Sequence, residues 1–183
     1  MWDTQIGSVF NETGNSIISV SDGFVICGST TEPNDVNGNP AGKADIYLAK
    51  ISSSGNVLWT NSFGGAGDET GNDLLVTLSG YIIIGTTNSF SEPEQSGNNI
   101  ILFETNGEGI ETAKMTYGGI YSDAGNSIIN ANGGGYIIVG SKGITSVNSK
   151  VYMAKIGESI FNIDFEITLG FEATDYGAGY DVV

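Results

Sequence analysis

The chain has 183 residues, with 21 Asp and Glu against six Lys, no Arg and no His, for a net charge of −15. That balance argues against nucleic acid, whose phosphates need clustered Lys and Arg, and against an anionic membrane surface. The missing His removes the commonest general base and zinc ligand, and a single Cys, Cys27, removes an intrachain disulfide and a multi-Cys zinc site.

The chain is rich in Gly, Asn, Ser and Ile, with only three Pro. No stretch carries a helical apolar stripe, so the expectation is an all-β fold. Apolar runs of four or five residues are too short to cross a membrane. Met1–Thr4 leads into polar residues without a signal-peptide pattern.

In chain order, Trp2–Gly7 (WDTQIG) reads as a lone strand. Then comes a unit of four strands, labelled A to D by position: GNSII from Gly14 (A), GFVICG over 23–28 (B), DIYLAKI over 45–51 (C) and VLWTNSF over 57–63 (D). Ser21-Asp22-Gly23 is a hairpin turn in which Gly relieves the left-handed backbone cost. The unit recurs. Gly14-Asn15, Gly71-Asn72 and Gly125-Asn126 lie 57 and 54 residues apart, and Gly179-Tyr180 follows after another 54. Phe24-Val-Ile-Cys-Gly28 matches Tyr81-Ile-Ile-Ile-Gly85 and Tyr136-Ile-Ile-Val-Gly140. Third strands follow at 98–105 and 149–156, and fourth strands at 110–119 and 165–171. The units run over about 14–65, 71–119 and 125–171, with partial strands at 2–7 and 176–183. Four short strands per repeat mark a β-propeller blade. A single blade leaves both faces bare, and stacking buries them. The expected architecture is therefore one repeat domain over 1–183, a propeller-type array of four-stranded antiparallel blades.

Glycines 14, 28, 71, 85, 125 and 140, the strand-C pattern at 45–51, and the aromatic-Gly-Gly at 63–65 and 117–119 carry a resemblance. The chain resembles the bacterial and archaeal surface propeller repeats called SBBP or delta-60 repeats, and more distantly Kelch repeats. The resemblance covers essentially the whole chain. It implies an extracellular or cell-surface propeller within a larger protein, and no shared catalytic residues. Asn99 and Lys150 depart from it where Asp45 stands, and the third unit lacks its Gly-Gly. Three units and two partial strands leave three forms of closure open: a piece of a longer propeller, several copies joined through 2–7 and 176–183, or a thin fourth blade pairing those two segments.

Function is expected on the face where the D–A and B–C loops emerge, because loops varying over a fixed scaffold are the usual home of binding. The B–C loops (29–44, 86–98, 141–149) are long and divergent. The candidate binding residues are Glu12, Asp68, Glu69, Asp123 and Asp175, with Asp68, Asp123 and Asp175 read as equivalent. Asp35, Asn37, Asn39 and Asp45 resemble the start of a calcium loop, with Pro40 and Ile46 breaking the pattern. Cys27 reads as a buried small hydrophobe, and Trp2 and Trp59 as packing between blades. The functional expectation is a non-catalytic module that binds a protein or a glycan, with no nucleic acid and no membrane insertion, and no cofactor apart from that calcium. The alternatives are a purely structural spacer and a carboxylate-based glycoside hydrolase or lyase.

Overall fold

The computed structural model describes residues 2–31, 43–90 and 97–170. Within them the chain is all-β. Strands β1 (Glu12–Val20), β2 (Gly23–Thr30), β3 (Asp45–Ser52) and β4 (Val57–Phe63) form the first sheet. The second comprises β5 (Glu69–Val76), β6 (Gly80–Thr87), β7 (Asn99–Asn106) and β8 (Glu111–Tyr117). The third comprises β9 (Ala124–Asn130), β10 (Tyr136–Gly143), β11 (Ser149–Ile156) and β12 (Ile163–Leu169). Every neighbouring pair is antiparallel and consecutive in sequence. Positions A to D of each repeat are therefore the four strands of one sheet, as the sequence led us to expect. Glycines close the β3–β4 and β7–β8 turns, where Gly55 and Gly109 hold φ of 89° and 73°, a region costly for other residues.

The Gly-Asn pair at the head of each repeat marks a β-bulge. Gly14 pairs with Gly28 and Ser16 with Cys27, so Asn15 is the extra residue. Asn72 and Asn126 occupy the same place in β5 and β9. A bulge re-aims its side chain, and here it aims at the next sheet. Asn15 Nδ2 donates to the Gly71 carbonyl at 2.9 Å, and Asn72 Nδ2 to the Gly125 carbonyl at 2.7 Å. The paired glycines are needed because backbones crowd there. A Cβ on Gly28, Gly85 or Gly140 would run into the carbonyl oxygen of Thr13, Thr70 or Ala124.

The three sheets stack face to face in chain order, with β1, β5 and β9 packed in succession. Alternate residues point to opposite faces, so each sheet offers one set to the sheet before it and another to the sheet after. Between the first and second sheets, Cys27, Ile46 and Phe63 meet Leu74, Ile83 and Phe103. Between the second and third, Ile84, Ile100 and Tyr117 meet Ile128, Ile138 and Tyr152. Full burial of one such side chain contributes about 1.5–3 kcal/mol. The second sheet is covered on both faces. Among the described residues the outer faces of the first and third are largely open: Ile17 is 60% exposed where its equivalent Ile128 is 1% exposed.

Trp2–Gly7 is not a strand, which corrects the expectation for that segment, yet it lies where a fourth strand belongs. Trp59 of β4 packs on Tyr81 of the next sheet, with ring centroids 6.1 Å apart, and against Gly109 in that sheet's third turn. Trp2 packs in the same way on Phe24, at 6.3 Å, and against Gly55. Its indole N–H donates to the Ser53 carbonyl and the Thr4 hydroxyl to that of Gly55. Residues 2–4 thus cover part of the first sheet as the fourth strand of a preceding sheet would. Among the described residues no neighbouring strand pairs with them to make them one. Between the second and third sheets, Ala113 stands where Trp59 stands. There the vacant volume is taken from the other side by Ile160, which projects from the longer β11–β12 turn and is fully buried.

Candidate functional site

The D–A and B–C loops meet at one end of the sheets, stitched by backbone bonds that repeat. Glu69 N–H donates to the Ala44 carbonyl at 2.6 Å, and Asp123 N–H to that of Asn98 at 2.7 Å. These two carboxylates are equivalents, and Glu12 is the third. Each lies two residues before the repeat's leading glycine. Asp68 is therefore not the counterpart of Asp123, because Ser122 is. Asp175 lies outside the described residues, as do Asp35, Asn37 and Asn39.

The candidate carboxylates mostly fasten the loops that carry them. Glu69 Oε2 accepts from Gly65 N–H at 2.8 Å, and its Oε1 from the Thr87 hydroxyl and Ser89 N–H. Glu12 Oε1 accepts from the Ser8 and Thr30 hydroxyls. Asp68 takes the Lys43 ammonium at 2.7 Å and Ala44 N–H at 3.1 Å. The bond from Lys43 holds its carboxyl below the usual range, though an ion pair this exposed contributes at most about 1 kcal/mol. Asp45 is buried at the start of β3. A Cβ on Gly64 would run into both Asp45 Oδ1 and Glu69 Oε2, so these oxygens face one point, and Asn99 and Asp123 do the same around Gly118. Among the described residues no three Asp, Glu, Cys or His are grouped to hold a metal ion. Cys27 is buried, and desolvation, then the charge of Asp73, pushes its thiol up to about 12.

One cavity joins several chemically active side chains. It has a volume of about 260 Å³ and opens between the second and third sheets at the loop end, and its walls include Tyr117, Asp123, Lys142, Tyr152 and Glu166. Asp123 is 2% exposed. Its Oδ2 accepts Gly119 N–H and its Oδ1 accepts Gly143 N–H, both at 2.8 Å, which aims the carboxylate at the pocket from the D–A loop. Tyr152 donates its hydroxyl to Glu166 Oε2 at 2.9 Å. Lys142 Nζ lies 3.5 Å from the same oxygen and 5.2 Å from the centroid of the Tyr152 ring. Burial, then the bond to Glu166, raises the Tyr152 hydroxyl well above its usual range, so it stays a donor. Burial likewise pushes Tyr117 up to about 12, and its hydroxyl donates to the Ile160 carbonyl.

The same place between the first and second sheets is filled. Phe103 stands where Ala154 stands, and Phe90 from the β6–β7 loop lies over it with centroids 6.5 Å apart. Lys114, the equivalent of Glu166, caps the Phe90 ring at 4.4 Å. A Cβ on Gly65 would meet Ser89 and Phe90, whereas one on its counterpart Gly119 meets nothing within 4 Å. Where Ala49 takes that position in the first sheet, a cavity of about 200 Å³ opens beside Ile6, Glu12 and Tyr47. The cavities follow the Ala-for-Phe exchange. Our reading of the sequence included Asp123 and missed Lys142, Tyr152 and Glu166 as a group, because they sit on strands β10, β11 and β12. The available signal was the Ala49, Phe103, Ala154 alternation at one repeat position.

No protein-family model matches the chain, and no curated protein matches it.

Proposed function

We propose that the chain is a non-catalytic β-propeller repeat module of an extracellular or cell-surface protein, binding a protein or a carbohydrate through the end where the D–A and B–C loops meet. The observation that carries the binding reading is the polar cavity at that end of the second interface, whose counterpart in the first is plugged by Phe90. A spacer has no use for such a difference, since filling the space with apolar rings adds stability.

The propeller arrangement is supported by the asparagine-to-glycine bonds that pass from sheet to sheet along the inner strands. It is supported too by the seating of residues 2–4 where a preceding sheet's fourth strand belongs. In a ring, such a segment completes a sheet whose other strands come from elsewhere. The resemblance to surface propeller repeats supports a module outside the cell. A glycoside hydrolase is disfavoured by the bonding at the cavity: both carboxylates are engaged by donors, Asp123 by two backbone N–H groups and Glu166 by Tyr152, whereas glycoside hydrolysis needs one proton-donating acid opposite one carboxylate.

The test is a binding screen of the intact chain on oligosaccharide and peptide arrays. The module reading expects a saturable ligand whose binding weakens when the loop-end residue Lys142 is changed. An array without a ligand favours the spacer reading.

A further inference from the structure

We infer that the cavity between the second and third sheets is a subsite for a single uncharged pyranose ring, a reading that rests on the binding function proposed above. Three features of the cavity carry it.

The first is size. Pockets for drug-sized ligands occupy about 300–1,000 Å³. A space of about 260 Å³ falls below that range and limits the occupant to a small ring. It is also the space that the Phe90 ring takes at the first interface.

The second is the placing of polar groups. A sugar presents a belt of hydroxyls that both donate and accept, with apolar C–H faces between them. Here the wall offers acceptors at Asp123, Glu166 and the two tyrosine oxygens, whose own protons are already given to Glu166 and the Ile160 carbonyl, and a donor at Lys142, while Ile100 and Ile163 supply apolar surface. The backbone N–H groups of Gly119 and Gly143 fix Asp123, and Tyr152 and Lys142 fix Glu166. Groups held in this way lose little freedom when a ligand arrives.

The third is charge. Two carboxylates face one ammonium, and that ammonium already lies against Glu166. A hexuronate carboxylate would enter a site of net negative charge, so hydroxyl donors are preferred.

The experiment titrates the chain with glucose, galactose, mannose and glucuronate, each followed through its backbone amide spectrum. The Gly119 and Gly143 amides report directly, since they hold Asp123. One or more neutral hexoses should give saturable shifts centred on Gly118, Gly119 and Gly143, at millimolar concentrations, and glucuronate should give none. Two variants copy the filled interface: Ala154→Phe supplies the ring of Phe103, and Lys142→Thr supplies the residue at Thr87. Ala154→Phe should abolish the shifts, and Lys142→Thr should weaken binding about tenfold, as expected for a lost charge-assisted hydrogen bond. If Ala154→Phe fails to fold, Lys142→Thr at the rim carries the test alone. No saturable shift with any neutral hexose overturns the subsite. So do shifts centred elsewhere, and so does hexose binding unchanged by Lys142→Thr. An array ligand that binds wild type and Ala154→Phe alike would remove the subsite and leave the module reading standing.

Discussion

Asp73, on β5, collects donors from β1 of the first sheet and β9 of the third. Its Oδ1 accepts from the Ser16 hydroxyl at 2.8 Å and from Leu74 N–H. Its Oδ2 accepts from the Ser127 hydroxyl at 2.8 Å and from Ile128 N–H at 3.1 Å. Burial works to raise its pKa, but the bonds from Ile128, Ser127, Ser16 and Leu74 outweigh it and hold the group below its ordinary 3.8. A carboxyl depressed by folding stabilises the fold above its unfolded value, and loses that contribution as pH falls through the folded one. Asp73→Asn should therefore destabilise the chain at neutral pH by about 1–3 kcal/mol, and the gap to wild type should narrow below about pH 4. Urea unfolding of both proteins from neutral pH down to about pH 3 reads it, and a gap constant across that range would show that Asp73 is not the acid-sensitive link. Asn72, its neighbour on β5, also bonds to β9. Asn72→Ala leaves the Gly125 carbonyl without its donor and should cost about 1–2 kcal/mol. Asn126→Ala, whose side chain makes no such bond among the described residues, should cost less than half as much. Equal losses would mean that the bulge, and not the side chain's reach, carries the effect.

At the scale of elements, strand order and pairing were legible because three copies of one pattern corroborate each other. Turn glycines, alternation and spacing all point to the same four strands, and pattern alone decides these. What stayed hidden depends on which side chain fills a shared space. Trp59, Ala113 and Phe165 hold one repeat position, and nothing local says that Ile160 enters from the facing turn to replace a missing indole. Nor does the sequence say that Phe90 folds back over Phe103 to plug one interface while the other stays open. The equivalence of Glu12, Glu69 and Asp123 was readable by counting back from each leading glycine. Asp68, one residue earlier, shares the loop but not the position. The Ile160 substitution makes a prediction that a turn residue would not ordinarily support. Ile160→Ala should cost about 2–5 kcal/mol, as for a core aliphatic residue, while Phe161→Ala, with its ring half exposed next door, should cost less than about 1 kcal/mol. Urea denaturation of the two variants decides it, and similar costs would mean that the turn does not seat Ile160 between the sheets.

For the whole molecule, the repeat turns burial into a question of place. Ile17 and Ile128 are the same residue at the same repeat position, facing backward along the stack. Ile128 meets the second sheet, and Ile17 meets water over most of its surface. On the forward face, Ile46 and Ile100 are buried between sheets, while their equivalent Val151 is 53% exposed. Stability in such arrays is roughly a sum of unit and interface contributions, so equal substitutions at equal positions read out which interfaces exist. Ile128→Ala should cost about 2–5 kcal/mol and Ile17→Ala less than about 1 kcal/mol, measured by urea unfolding at low protein concentration. The pair also tests how the array ends. Should Ile17→Ala cost as much as Ile128→Ala, the face of the first sheet is covered in solution. Raising the protein concentration then separates the two ways of covering it. A cost that grows with concentration means a second copy supplies the cover, because association stabilises by mass action, and a constant cost means the chain folds back to cover its own first sheet.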